Sequence, residues 1–416
     1  MKNQLLKTVW NERRSNIALF IELFLISLFL WYVVDIIYPP LKTYLKPLGY
    51  NIEHVYVATL SNIPSTDPLY DPEISPDDRA DDFYTVVERI KKHPDVAEVG
   101  LSHHGRPESN SWYSMGVWAD TLELRNIKWR VMSPEAVRLY QLEEEQGDNE
   151  QLYRALERGE LIISASLAKE IGAAPIGTEI YNDSPDADDR HLMGSVGAIA
   201  KDVRDTRFTN YVPFMITPIT REELNSMVGY VGGVEINVKP RSGREKGFEE
   251  HFSKELKEQL KLGNMELNKI QSLQQAGIYQ GRMFERQMLM NSLLVLFLLV
   301  NILLGISGVF WYRTQKRKNQ MGLRVALGDT PKGVLKLYFK EGILIFSLAF
   351  LLTIAVFVGL FKYEIPNTDL EPLDASRFII GMLITYLLTA TVIILSIWLP
   401  ARHILKIPPA DTLKEE

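Results

Sequence analysis

The sequence predicts a membrane protein in which four transmembrane α-helices carry a large α+β extracytoplasmic domain, inserted between helices 1 and 2. Three observations predict it. Four stretches reach the roughly 20 apolar residues needed to cross a bilayer. Lysine and arginine collect beside them in a consistent pattern. The long segment between the first two alternates short strand-like and helical runs. The 416 residues are 46% hydrophobic with a net charge of −6, and this mild acidity argues against a general nucleic-acid binder. Without cysteine there is no disulfide framework, thiolate metal site or cysteine nucleophile.

In chain order, residues 1–16 contain "LLKTVWNERRSN", an amphipathic pattern expected to form a cytosolic helix. The first span, 17–38, holds Glu22 and Asp35 among Leu, Ile and Phe. Its apolar run exceeds the roughly 7–15 residues of a signal-peptide core, and Tyr38-Pro39-Pro40 stands where a small-residue cleavage site would be. A retained anchor is therefore expected. Both acids lie toward span ends, so snorkelling to the interface is the default expectation, with a polar contact at a dimer interface as the alternative.

The second span, 288–312, is uncharged between Arg286 and Arg313. The third, 342–361, is uncharged between Glu341 and Lys362, and the fourth, 378–399, between Arg377 and Arg402. Trp31, Tyr32, Tyr38, Trp311, Tyr312 and Trp398 fall toward span ends, where amphipathic rings prefer headgroup depth. Basic residues precede span one (Lys2, Lys7, Arg13, Arg14), crowd the stretch from Arg313 to Lys340, and follow span four at Arg402 and Lys406. The positive-inside rule then puts both termini, the 313–341 loop and the tail 400–416 in the cytoplasm. Residues 39–287 and the short loop 362–377 are expected outside.

Within 39–287, strands are expected at Ile52–Leu60, Val96–Ser102, Met115–Ala119, Leu161–Ser164, Ser195–Ala200 and Val234–Val238. Helices are expected at Pro76–Lys92, Ser166–Ile171 and Glu245–Leu260, giving an α+β domain of split β-α-β units. The run "YNDSPDADDRH", 181–191, reads as an exposed loop.

Three clusters in this domain invite a site. His103-His104, with His54 and His93 elsewhere, lack helical spacing and a carboxylate at motif distance, so a metal site is the weaker reading. "SPDDRADDF", 75–83, has the form of a helix start, with Ser75 as N-cap, Pro76 first and Asp77-Asp78 facing the dipole, and this outweighs calcium binding. Trp112, Tyr113, Trp118 and Trp129 on strand-like segments read more readily as core than as a stacking site. No nucleophile–base or metal constellation marks an enzyme.

The stretch "MGLRVALGDTPKGVLKLYFKEGILI", 321–345, spaces Gly328 and Gly333 like the opening of a phosphate loop. Val334-Leu335 stands where that fold needs Lys and Ser/Thr. A helix from Thr314 to Leu327 is expected instead, closed by Gly328 as a left-handed C-cap. Asp329 or Thr330 then caps a second helix that starts at Pro331 and runs into span three. The result is a helix-turn-helix elbow at the membrane face, whose basic residues meet lipid headgroups or an acidic partner.

These residues resemble the cytoplasmic signature of the FtsX/MacB-type ABC transporter permeases, commonly E-I-G-I-R-x-A-L-G-A followed by a helix with a late Glu. Gly322, Arg324, Ala326, Leu327, Gly328 and Glu341 fall on matching positions, while Gln320-Met321 and Asp329 depart from the pattern. The tail "LPARHILKIPPADTLKEE" resembles the family's ending, with Pro400, Ala401, Arg402, Pro409 and Leu413 in register. "RGELIISASLAKEIGAAPIGTEI" and "VGAIAKDVRD" look like its MacB-like periplasmic core domain.

The resemblance implies a bacterial inner-membrane permease that pairs as a homodimer or heterodimer and binds a cytosolic ABC ATPase subunit. ATP and Mg would sit on that partner, with no cofactor and no catalytic residue on this chain. Gly322, Arg324, Ala326, Leu327, Gly328 and Glu341 would form the ATPase-coupling elbow. Mechanotransmission would then move the outer domain to export or release a substrate. The alternative is an FtsX-like signalling subunit that regulates a cell-wall hydrolase without transport. A periplasmic adaptor or a cell-wall hydrolase is the corresponding outer partner. A self-contained channel is disfavoured, because spans two to four carry no ionisable residue in their interiors.

Overall fold

The computed structural model describes residues 13–109, 111–228, 233–363 and 374–404. The expected N-terminal helix up to residue 12, residues 364–373 of the short loop, and the tail from residue 405 with Pro409 and Leu413 lie outside the described residues. The chain divides into two compact units, Met1–Tyr44 with Glu285–Glu416, and Leu45–Phe284.

Four helices are long and apolar enough to cross a membrane: α1 (Arg13–Leu45), α8 (Leu273–Lys316), α10 (Pro331–Lys362) and α11 (Ala375–Ile404). α1 continues past the expected boundary through Pro39 and Pro40. Leu19, Leu23, Trp31, Phe310, Phe346 and Ile397 are buried between these helices. Close approach is built in by glycine. A Cβ at Gly342 would stand 2.9 Å from Ile397 Cδ1, and one at Gly381 would stand 2.9 Å from Trp31 Nε1. Trp31 itself packs on Phe357 with ring centroids 3.9 Å apart.

Asp35 does not snorkel. Both of its oxygens accept from the Arg377 guanidinium, at 2.9 Å from Nε and 2.8 Å from Nη2, and the two side chains are 9% and 2% exposed. A carboxylate withdrawn from water is costly unless paired, and a bidentate arginine meets it in the matching planar geometry. The partner begins the last helix, more than 300 residues away, where no local pattern links it to Asp35. Glu22 is half-buried in α1, and its Oε1 lies 4.0 Å from where a Cβ on Gly305 would stand.

The second unit holds a ten-stranded sheet: β1 (Tyr56–Asn62), β2 (Val96–His103), β3 (Tyr113–Ala119), β4 (Leu122–Met132), β5 (Leu161–Ser164), β6 (Glu179–Tyr181), β7 (Leu192–Ala200), β8 (Phe214–Pro218), β9 (Glu235–Pro240) and β10 (Met265–Ser272). Its order is β10-β1-β9-β2-β4-β3-β6-β7-β5-β8, and β4 also pairs with β8. That extra pairing closes β4-β3-β6-β7-β5-β8 into a small barrel, from which β2, β9, β1 and β10 continue as a sheet. The β4–β8 pairing is parallel, as is β5–β7; the other pairs run antiparallel.

Helices α2 (Pro76–Lys91) and α7 (Phe248–Leu256) bury Phe83, Ile90 and Phe252 against the open sheet. α3 (Pro134–Leu139) and α4 (Glu150–Glu157) pack Leu139, Leu152 and Leu156 on the other core with Ile162 and Phe214. Val117, Leu124, Ile163 and Val196 fill the barrel, flanked by α5 (Ala165–Ile171). α6 (Arg221–Val228) follows β8. The acidic run at 75–83 is a capped helix start, with the Ser75 hydroxyl accepting from the Asp78 N–H at 3.1 Å.

Candidate functional site

The basic segment after α8 folds as an elbow of two helices, but its first arm breaks earlier than the sequence predicts. α8 ends at Lys316, Arg317 leaves helical geometry, and α9 (Lys318–Ala326) follows. The turn is closed locally. The Leu327 N–H donates to Leu323 O at 3.0 Å, Gly328 to Val325 O at 3.1 Å, and Asp329 to Arg324 O at 3.0 Å. These bonds take up the last carbonyls of α9. Gly328 stands at φ +100°, a left-handed conformation that side chains resist. Of the two expected caps Thr330 is the one that acts, its hydroxyl accepting from the Gly333 N–H at 3.0 Å.

Met321 and Val334 are buried where the arms meet, with Val325 and Tyr338 partly buried around them. The base of the elbow is electrostatic. Glu341, 6% exposed, accepts from Arg317 Nη1 at 2.8 Å, and Arg313 Nη2 stands 3.7 Å from its other oxygen. Arg313 also donates to Asn16 Oδ1 on α1, and Arg317 lies over the Tyr338 ring, 5.6 Å from its centroid. A cavity of about 20 Å³ among Arg313, Thr314, Arg317, Tyr338 and Glu341 is roughly large enough for one water.

The six residues singled out from the sequence therefore split into two groups. Arg324, Ala326, Leu327 and Gly328 are exposed, with Leu327 at 79%, while Gly322 and Glu341 are buried inside the elbow. The exposed group lies on the outside of the elbow, and the buried pair lies within it. Arg313, Arg317 and Tyr338 complete this device and were not marked by the sequence pattern. The signal for them was charge: an isolated Glu341 at the head of an apolar run needs cations nearby.

Elsewhere, His103 Nδ1 bonds to Gly233 O, His104 Nδ1 lies 2.7 Å from Ser111 Oγ, and His93 Nε2 lies 2.9 Å from Glu255 Oε2. Among the described residues no group of three His, Asp or Glu side chains is close enough to hold a metal ion. In the outer unit, Arg130 donates to Asp205 at 2.7 Å, Lys128 is ion-paired with the same carboxylate, and Arg106 lies 3.2 Å from the largely buried Glu235. Burial pushes the Glu108 and Glu235 carboxyls above their ordinary values.

This arrangement, four helices long and apolar enough to span a membrane with a basic, pinned elbow and an α+β domain inserted after the first, is that of a multi-pass membrane protein. Residues 292–409 match the family described as FtsX-like permease C-terminal. No curated protein sequence matches it significantly. Among solved structures, the outer unit is similar to the extracellular domain of the noncanonic ABC-type transporter YknZ from Gram-positive bacteria. That likeness has 13% identity and a TM-score of 0.32, covering 51% of this chain and 98% of that one. It is also similar to the periplasmic region of MacB from Actinobacillus actinomycetemcomitans, with 11% identity and a TM-score of 0.34, covering 56% of this chain and 94% of that one.

Proposed function

We propose that this chain is the permease subunit of a mechanotransmission ABC transporter. ATP is hydrolysed on a separate cytosolic ATPase subunit, and the elbow at 313–341 receives the motion of that subunit. The spans pass it to the domain at 39–287, which lies outside the bacterial inner membrane while both termini lie inside. The outer domain then exports or releases its substrate, and none need pass through the four-helix bundle.

The observation that carries this reading is the construction of the elbow. Two helices are locked by a glycine turn, a threonine cap and a buried Arg317–Glu341 contact, yet Leu323 and Leu327 stay 50% and 79% exposed. An apolar tip on a stiff, basic support fits a protein partner better than a passive lipid anchor, which needs no fixed shape. The match of 292–409 to the FtsX-like permeases supports the same reading. The test is affinity capture of the full chain from its native membrane. An ABC ATPase that co-purifies with the wild type and is lost with Arg324→Glu supports the proposal. Capture without any ATPase, under conditions that preserve other membrane complexes, overturns it.

A further inference from the structure

The outer unit contains a cavity that the proposed coupling does not use. It measures about 310 Å³ and opens between the 182–191 loop and the start of α6. This is roughly the lower end of the size range of small-molecule sites. Its walls are Tyr113, Met115, Trp129 and Met193, with Glu223 and His191 among the polar groups at its edge. Trp129 and Tyr113 face each other across the β3–β4 ladder with ring centroids 5.9 Å apart, edge to face. The indole N–H of Trp129 already donates to Thr217 Oγ1 at 2.9 Å, across the parallel β4–β8 pairing, so the ring is held in a fixed pose.

The charge around this cavity is predominantly acidic. Glu223 Oε2 accepts from the Thr220 N–H at 3.0 Å and from its hydroxyl at 3.2 Å, which fixes the carboxylate and leaves Oε1 without a protein donor among the described residues. The loop alongside carries Asp183, Asp186, Asp188 and Asp189. The neighbouring cations are committed elsewhere. Arg190 stacks 3.8 Å from the Tyr181 centroid and donates to Asp120 O at 3.1 Å, Arg221 pairs with Asp81, and Lys128 pairs with Asp205. An ammonium or guanidinium group gains from both a free carboxylate oxygen and the face of a fixed aromatic ring. Met115 and Met193 give an adaptable apolar floor for whatever carries that charge.

We infer that this cavity is a binding site for a cationic amphiphile: an amine or guanidine on an apolar or aromatic body, supplied by a small molecule or by a basic side chain of a peptide. Glu223 pairs with the charge, and Trp129 and Tyr113 hold the body. The site belongs to the outer unit alone and does not depend on which ATPase, if any, the elbow meets.

The test is calorimetric titration of the full chain in nanodiscs with two probes, phenethylamine and phenylalanyl-arginine amide. Each is compared with a neutral analogue, phenethyl alcohol or acetyl-phenylalanine amide. The cations should bind at least tenfold more tightly than the neutral analogues, and Glu223→Gln should remove that difference. The variant is near-isosteric, and its amide oxygen still accepts from Thr220, so α6 keeps its cap. Trp129→Leu should weaken both cations. Binding of the amine alone identifies a small-molecule site, and binding of the dipeptide alone a peptide site; either supports the inference. No binding of either cation, equal binding of the neutral analogues, or an unchanged preference in Glu223→Gln overturns it.

Discussion

Glu341 is a carboxylate at the head of a membrane helix, and its nearest cations are Arg317 and Arg313. Removing one partner from a buried ion pair typically costs about 3–5 kcal/mol, because the remaining charge is left without compensation. Glu341→Ala should therefore lower the thermal midpoint of the nanodisc-embedded chain. Replacing Arg317 as well should cost less than the sum of the two single changes. Additive losses would mean that the two side chains do not act as a pair. The same reasoning applies to Asp35 and Arg377, where Asp35→Asn leaves a guanidinium 2% exposed. At Gly328 the cause is different: nothing lies within 4 Å of an added Cβ, so the only penalty is the left-handed backbone. Gly328→Val should cost about 1–3 kcal/mol and Gly328→Asn distinctly less, since asparagine tolerates this conformation. Equal effects of the two would place the cost somewhere other than the backbone.

At the scale of elements, the spans were legible because an uncharged run of bilayer length needs no information from distant residues. Leu161–Ser164 was legible for a related reason: all four of its residues are buried, and a continuous apolar run marks such a strand. β4 was not. "LELRNIKWRVM" carries Lys128 and Arg130, which read as surface until Asp205, 75 residues beyond Arg130, is found beside them. β8 and β10 were missed as well, β10 because its polar residues interrupt the apolar pattern. The elbow was legible in its turn chemistry at Gly328, Thr330 and Pro331. Its break at Arg317 was hidden, because no glycine or proline marks it; Arg317 there contacts Glu341, 24 residues further on. An element-level test follows from the exposed tip. Leu327→Asp leaves the buried contacts untouched and should keep the stability within about 0.5 kcal/mol of wild type, read from the thermal midpoint. ATPase capture should nevertheless fall sharply. Full capture by this variant would remove the tip from the coupling surface.

For the molecule as a whole, the outer unit should answer pH through two carboxyls whose burial raises them, Glu235 and Glu108. Glu235 lies against Arg106 and accepts from the Ser102 hydroxyl at 2.7 Å, yet its burial outweighs these partners and raises its carboxyl above the ordinary value of 4.5. Glu108 is raised for the same leading reason. A group with a raised folded value binds more protons in the folded than in the unfolded chain between the two values. Its contribution to stability is therefore fully present below 4.5 and is lost as pH rises through the raised value. Every tenfold difference in proton affinity between the folded and unfolded chain is worth about 1.4 kcal/mol. Hydrogen exchange at β9 amides, followed from pH 4.5 upward, should show protection by the outer unit weakening more steeply in wild type than in Glu235→Gln. Subtracting the variant's profile removes the intrinsic exchange chemistry and the titration of every other carboxylate, leaving the contribution of this one group. Parallel profiles would mean that Glu235 stays ionised across the range and that Arg106 compensates its burial in full. A steeper variant would reverse the sign and place the folded value below the ordinary one.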